Sequence, residues 1–132
     1  MTQIKFLRNW SVAVGAMDAI TGLLLIFFPG LVLGLLGIAP PAPDALVFLS
    51  WIGVFVMSIG LSYGLVFGRR GRGETVWVFT SVVRAMVAVF LTFKILSGSM
   101  AGAWGLVGVS DAVVAVVQIV ILRKGWWKEV YK

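Results

Sequence analysis

The chain has 132 residues, 61% hydrophobic and 12% charged, with no cysteine and no histidine. Soluble domains carry about a quarter charged residues, so a mean hydropathy of +1.07 excludes a separate soluble domain and points to a membrane protein. The missing residue types exclude disulfides, thiolate nucleophiles, Cys/His zinc sites, Ser-His-Asp triads and His-ligated haem. No catalytic residue, metal site or cofactor is therefore expected, and the chain is not read as an enzyme.

Four apolar runs fill most of the sequence, each roughly the ~20 residues of helix that cross a hydrocarbon core. The first is read over residues 10–28, with an apolar extension over 31–38. A straight helix across both would measure about 42 Å, longer than the core. Pro29 removes an internal hydrogen bond and Gly30 follows it, so a kink or break is expected there. The stretch Ala39-Pro40-Pro41-Ala42-Pro43 predicts a stiff non-helical loop, and Asp44 is placed to cap the next span. That second span is read over 45–67, the third over 75–96 with Glu74 at its N-terminus, and the fourth over 103–122. The fold class expected is all-α: one integral membrane domain over residues 1–132, a four-helix up-down bundle.

The net charge of +6 is not a nucleic-acid signature, because the basic residues sit at span ends. Lys5 and Arg8 precede the first span. Arg69, Arg70 and Arg72 join the second to the third, and Arg123, Lys124, Lys128 and Lys132 follow the fourth. The connections over 38–44 and 97–103 hold neither Lys nor Arg. The positive-inside rule then predicts an N-in, C-in chain with four crossings. The first apolar block lacks a cleavage context, so no cleavable signal peptide is expected. Trp10, Trp77 and Trp104 open spans, Trp51 lies in the first turns of another, and Trp126 with Trp127 closes the last. All six are expected at headgroup level. The tail interleaves Trp126, Trp127, Val130 and Tyr131 with Lys124, Lys128 and Lys132, a pattern suited to anionic headgroups.

Small residues mark packing faces. Gly60 and Gly64 form a GxxxG beside Ser58 and Ser62, while Gly15 and Gly22, like Gly53 and Gly60, lie seven apart. This spacing serves close packing inside the bundle or, alternatively, a homo-oligomer.

The deep charges are the most informative positions. Asp18 lies about 12 Å past Trp10 along the helix, and Arg84 about 10 Å past Trp77. Asp111 falls near the middle of the fourth span. Lone charges are costly in lipid, so an Asp18–Arg84–Asp111 cluster is expected, tying three spans together. Its surplus negative charge requires that one carboxyl hold a proton or meet another donor. Ser11 and Gln118 each stand seven residues from an Asp, and could carry a polar line toward the inner surface. Lys94 is placed to snorkel at the outer end. The hexapeptides Gly15–Ile20 and Gly108–Val113 share G-x-x-D-A, an echo of the inverted-repeat kind.

The layout, with "AVGAMDAITGLLLIFFPGLVLGLLGI" followed by "FLSWIGVFVMSIGLSYGL", resembles small bacterial four-helix membrane proteins and is similar to the DoxX-like superfamily. That family includes subunits associated with quinone-linked oxidoreductases, so the resemblance implies an accessory role in a membrane complex. It carries over no catalytic motif. The function expected is thus a non-catalytic accessory or scaffold subunit, with the lipid bilayer and other membrane subunits as partners. The alternative is a small oligomeric transporter or channel with a protonatable intramembrane Asp.

Overall fold

The computed structural model describes residues 2–68 and 72–130. Arg69, Arg70 and Lys132, which enter the charge bias, and Tyr131 of the aromatic tail lie outside the described residues. Among the described residues there are helices and no strand: α1 (Gln3–Phe27), α2 (Pro29–Leu35), α3 (Pro43–Ser62), α4 (Arg72–Leu96), α5 (Gly105–Arg123) and α6 (Trp126–Val130). A 3₁₀ segment, Tyr63–Phe67, continues α3, and another, Gly102–Trp104, leads into α5. Four helical stretches are long and apolar enough to cross a membrane: Gln3–Phe27, Pro43–Phe67, Arg72–Leu96 and Gly102–Arg123.

Boundaries differ from the sequence expectation where backbone chemistry and hydropathy part company. α1 begins at Gln3 rather than at Trp10. Lys and Arg are good helix formers, so Lys5 and Arg8 end the apolar run without ending the helix. α1 stops at Phe27, and Phe28 takes a non-helical φ of −135° and ψ of 54°. Pro29 has no N–H to donate and occupies the first position of α2, where none is needed. Pro43 does the same for α3, which moves the N-cap to Ala42 with no side-chain hydrogen bond. Asp44 is therefore not the cap. It sits in the first turn, where its charge faces the positive end of the helix dipole.

The chain divides into two compact units, Ser11–Gly64 and Met1–Trp10 with Leu65–Lys132. In the first, α1 and α3 run antiparallel with their backbones in near contact. A Cβ added to Gly15 would lie 2.9 Å from the Gly60 carbonyl oxygen, and one on Gly60 would lie 2.6 Å from that of Gly15. The same reciprocity joins Gly22 and Gly53, at 2.7 and 2.8 Å. Such approach permits dispersion and weak Cα–H···O contacts that any side chain would block. Within α3 itself only Gly53 and Gly60 are buried. Its outward side carries Phe48, Trp51 and Phe55, their rings tilted against one another at centroid spacings of 6.4 and 6.0 Å and all exposed.

In the second unit, α4 and α5 form an antiparallel hairpin. α4 ends in a Schellman-type turn: Gly98 adopts φ +78°, and the Ser99 N–H reaches the Lys94 carbonyl at 2.9 Å. α6 folds back so that Trp127 packs edge-on against Trp77, with centroids 5.4 Å apart. A Cβ on Gly73 would meet the Trp127 ring at 2.5 Å, so this glycine makes the seat. Phe6 bridges Trp10 (5.9 Å) and Trp126 (5.7 Å), bringing the first turns of α1 into this unit. Trp77 and Trp127 are 0% and 2% exposed, so these two indoles pack into protein. Position along a helix predicts depth but not the side a ring faces, and these two face protein.

Candidate functional site

The polar groups of the second unit gather along one seam. Trp77, Thr80, Ser81, Arg84 and Leu91 are buried on α4, and Gly108, Val114, Ala115, Gln118 and Ile121 on α5. Both sets recur at three, four and seven residues, the period of a single helix face. The seam holds two polar layers.

The first layer is an ion pair. Arg84 Nη1 donates to Asp111 Oδ1 at 2.5 Å. The pair is unequal: the Arg84 side chain is 4% exposed and that of Asp111 17%. The carboxylate is thus the more exposed half of the pair. Gly108, one turn before Asp111, lies beside Leu91, where an added Cβ would make ordinary contact at 3.5 Å. Lys94 stands apart, its Nζ over the Phe90 ring at 5.7 Å near the other end of α4.

The second layer lies two turns along α5 and centres on Gln118, which is fully buried. Its Nε2 donates to Ser81 Oγ at 2.9 Å, Thr80 Oγ1 at 3.1 Å and the Trp77 carbonyl at 3.3 Å. Thr80 passes its own hydroxyl hydrogen to the Val76 carbonyl at 2.8 Å, which leaves its lone pair for Gln118. The other end of the amide is used as well, since Trp10 Nε1 donates to Gln118 Oε1 at 3.4 Å. A buried amide needs this many partners, because each unmet polar atom costs ~1–3 kcal/mol.

Ser11 and Asp18 belong to the Ser11–Gly64 unit, and both are buried. Asp18 lies on the side of α1 that meets α3: its Cβ would stand 2.9 Å from a Cβ on Gly60. The structure thus brings Arg84 to Asp111 and sets Asp18 beside Gly60. Of the expected packing glycines, Gly15, Gly22, Gly53 and Gly60 are in close contact. Gly64 is not, having no neighbour within 4 Å of its would-be Cβ. The working repeat is the seven-residue spacing rather than GxxxG, because Gly64 falls in the 3₁₀ segment, where the face has rotated away. Ser58 and Ser62 bond back to the Val54 and Ile59 carbonyls of their own helix.

Thr80, Ser81 and the indole of Trp10 were not among the expected site residues. A signal existed: the register that pairs Arg84 with Asp111 sets Gln118 opposite the turn from Trp77 to Ser81. Compared with family models, curated proteins and solved structures, the chain matches none.

Proposed function

We propose that the chain is a non-catalytic integral membrane protein, an accessory or scaffold subunit of a larger complex in a bacterial inner membrane. Its four apolar helices cross in up-down order, with both termini and the Arg69–Arg72 turn on the cytoplasmic side. The observation that carries this reading is the use of the seam's polar groups by one another. Gln118 engages Trp10, Trp77, Thr80 and Ser81, and Arg84 engages Asp111. Groups so engaged fix helix packing, whereas a catalytic or permeation site keeps polar groups available to a substrate. The exposed apolar side of α3 then supplies surface for lipid or a neighbouring subunit, and a DoxX-like layout implies the latter.

One observation favours a second function. Asp111 is the more exposed member of its ion pair, and an accessible intramembrane acid is what a small oligomeric proton-coupled transporter requires. Extraction of the tagged chain from its native membrane at low detergent tests both. Recovery with other membrane proteins at a fixed ratio supports the accessory role. Recovery as a homo-oligomer whose proteoliposomes pass protons, with loss of flux in Asp111→Asn, supports the transporter.

A further inference from the structure

The α4–α5 hairpin carries a groove that the polar seam does not use, enclosing about 290 Å³. Val78, Val82 and Met86 of α4 form one wall, and Ile119 and Leu122 of α5 the other. Val78, Val82, Met86 and Ile119 stand exposed. Two small residues four apart, Ser81 and Ala85, leave the floor low. Ser81 is already engaged by Gln118 at 2.9 Å, so the groove presents hydrocarbon along its length.

Its end nearer the α4 N-terminus is charged with both signs. Glu74 lies four residues before Val78 and Arg123 four after Ile119, so each extends its own wall by one helical turn on the same face. The antiparallel register of Ser81 with Gln118 sets these two residues at a common level. Arg123 is exposed and Glu74 half-exposed. One turn beyond the lining residues, the α5 side thus carries a guanidinium and the α4 side a carboxylate.

We propose that the groove seats an acyl chain of a phospholipid whose headgroup carries both a phosphate and a primary ammonium, the phosphate on Arg123 and the ammonium on Glu74. The proposal rests on the membrane placement given above. A planar guanidinium fork suits phosphate oxygens, and a carboxylate accepts N–H donors from a primary ammonium. A choline headgroup has no N–H to give. A glycerol headgroup has no cation, and leaves Glu74 beside a net negative charge. Arg72, Lys124 and Lys128 attract anionic lipid in general, which makes phosphatidylglycerol the demanding competitor.

The full chain, purified in detergent, is titrated with phosphatidylethanolamine, phosphatidylglycerol and phosphatidylcholine of matched acyl chains, and bound lipid is read by native mass spectrometry. The expected result is preferential retention of phosphatidylethanolamine. Glu74→Gln removes its advantage over phosphatidylcholine. Arg123→Gln lowers retention of all three about fivefold, the weight of roughly 1 kcal/mol for one cation at a lipid surface. Ala85→Phe, which raises the floor, lowers all three without changing helix content by circular dichroism. Equal retention by the parent chain, or preference for phosphatidylglycerol, overturns the assignment, and that comparison needs no substituted protein. Lipid held without preference defeats the groove alone. A chain that holds no lipid and is not recovered from membranes defeats the membrane placement as well.

Discussion

Arg84 and Asp111 share one short hydrogen bond, and the guanidinium is the more deeply enclosed of the two. The deeper charge is the one that suffers most when its partner goes. Asp111→Asn, which turns the ion pair into a bond to a neutral amide, should therefore cost about 1.5–3 kcal/mol, the range for a hydrogen bond to a charged group. Replacing both residues, as Arg84→Met with Asp111→Asn, should recover much of that loss. Thermal unfolding in detergent measures both. Equal melting of parent and Asp111→Asn would show that the pair is not coupled.

Gln118 should tolerate loss of its amide better than gain of a charge. Gln118→Leu removes bonds to Trp10, Thr80 and Ser81, but Thr80 keeps its bond to Val76. A cost of about 1–3 kcal/mol is expected. Gln118→Glu puts a carboxylate in the same enclosed position and should unfold at lower denaturant than the Leu variant. Unfolding in mixed micelles ranks the two, and the reverse order would mean that water reaches this layer.

The glycines divide into two classes by what a methyl would meet. Gly53→Ala and Gly60→Ala push a Cβ to within 2.9 Å of α1 backbone and should cost about 1–3 kcal/mol. Gly34→Ala, with nothing within 4 Å, should gain about 0.5–1 kcal/mol from reduced backbone freedom in the unfolded chain. Parallel melts of the three variants suffice. A neutral Gly60→Ala would break the account of the α1–α3 contact.

Single cysteines at Ala42, Ser99 and Arg70 check orientation in intact cells with a membrane-impermeant thiol reagent. The native chain has no cysteine, so its background is zero. Ala42→Cys and Ser99→Cys should label and Arg70→Cys should not, as the positive-inside rule requires. The opposite pattern inverts the topology.

The four long helices are legible because apolar runs of this length leave a chain few other structures. The approach of Arg84 to Asp111 is legible from residue counts, since two intramembrane charges of opposite sign at similar depth have strong reason to meet. What the sequence hides is rotation. Counting residues from a helix end gives the level of Trp77 and Trp127 but not that both rings point inward, and it gives two glycines at positions 60 and 64 but not that the helix tightens to 3₁₀ between them. The partners of Gln118 were hidden for a different reason. Thr and Ser are common in apolar helices, where each can bond its own backbone, so Thr80 and Ser81 carry no mark until a neighbouring helix is set against them.

The bond from Trp10 to Gln118 joins residues 108 apart in sequence, which bears on how the protein is made. Ribosomes add about 5–20 residues per second, so the indole of Trp10 exists for roughly 5 to 20 seconds before its acceptor is synthesised. The α1–α3 glycine contacts and the α4–α5 seam bonds both close over shorter separations. Assembly therefore ends where translation began: the N-terminal turns of the first helix dock on a unit that the last helix completes. Replacing Trp10 with Phe withholds that closing bond while leaving the α1–α3 and α4–α5 contacts able to form.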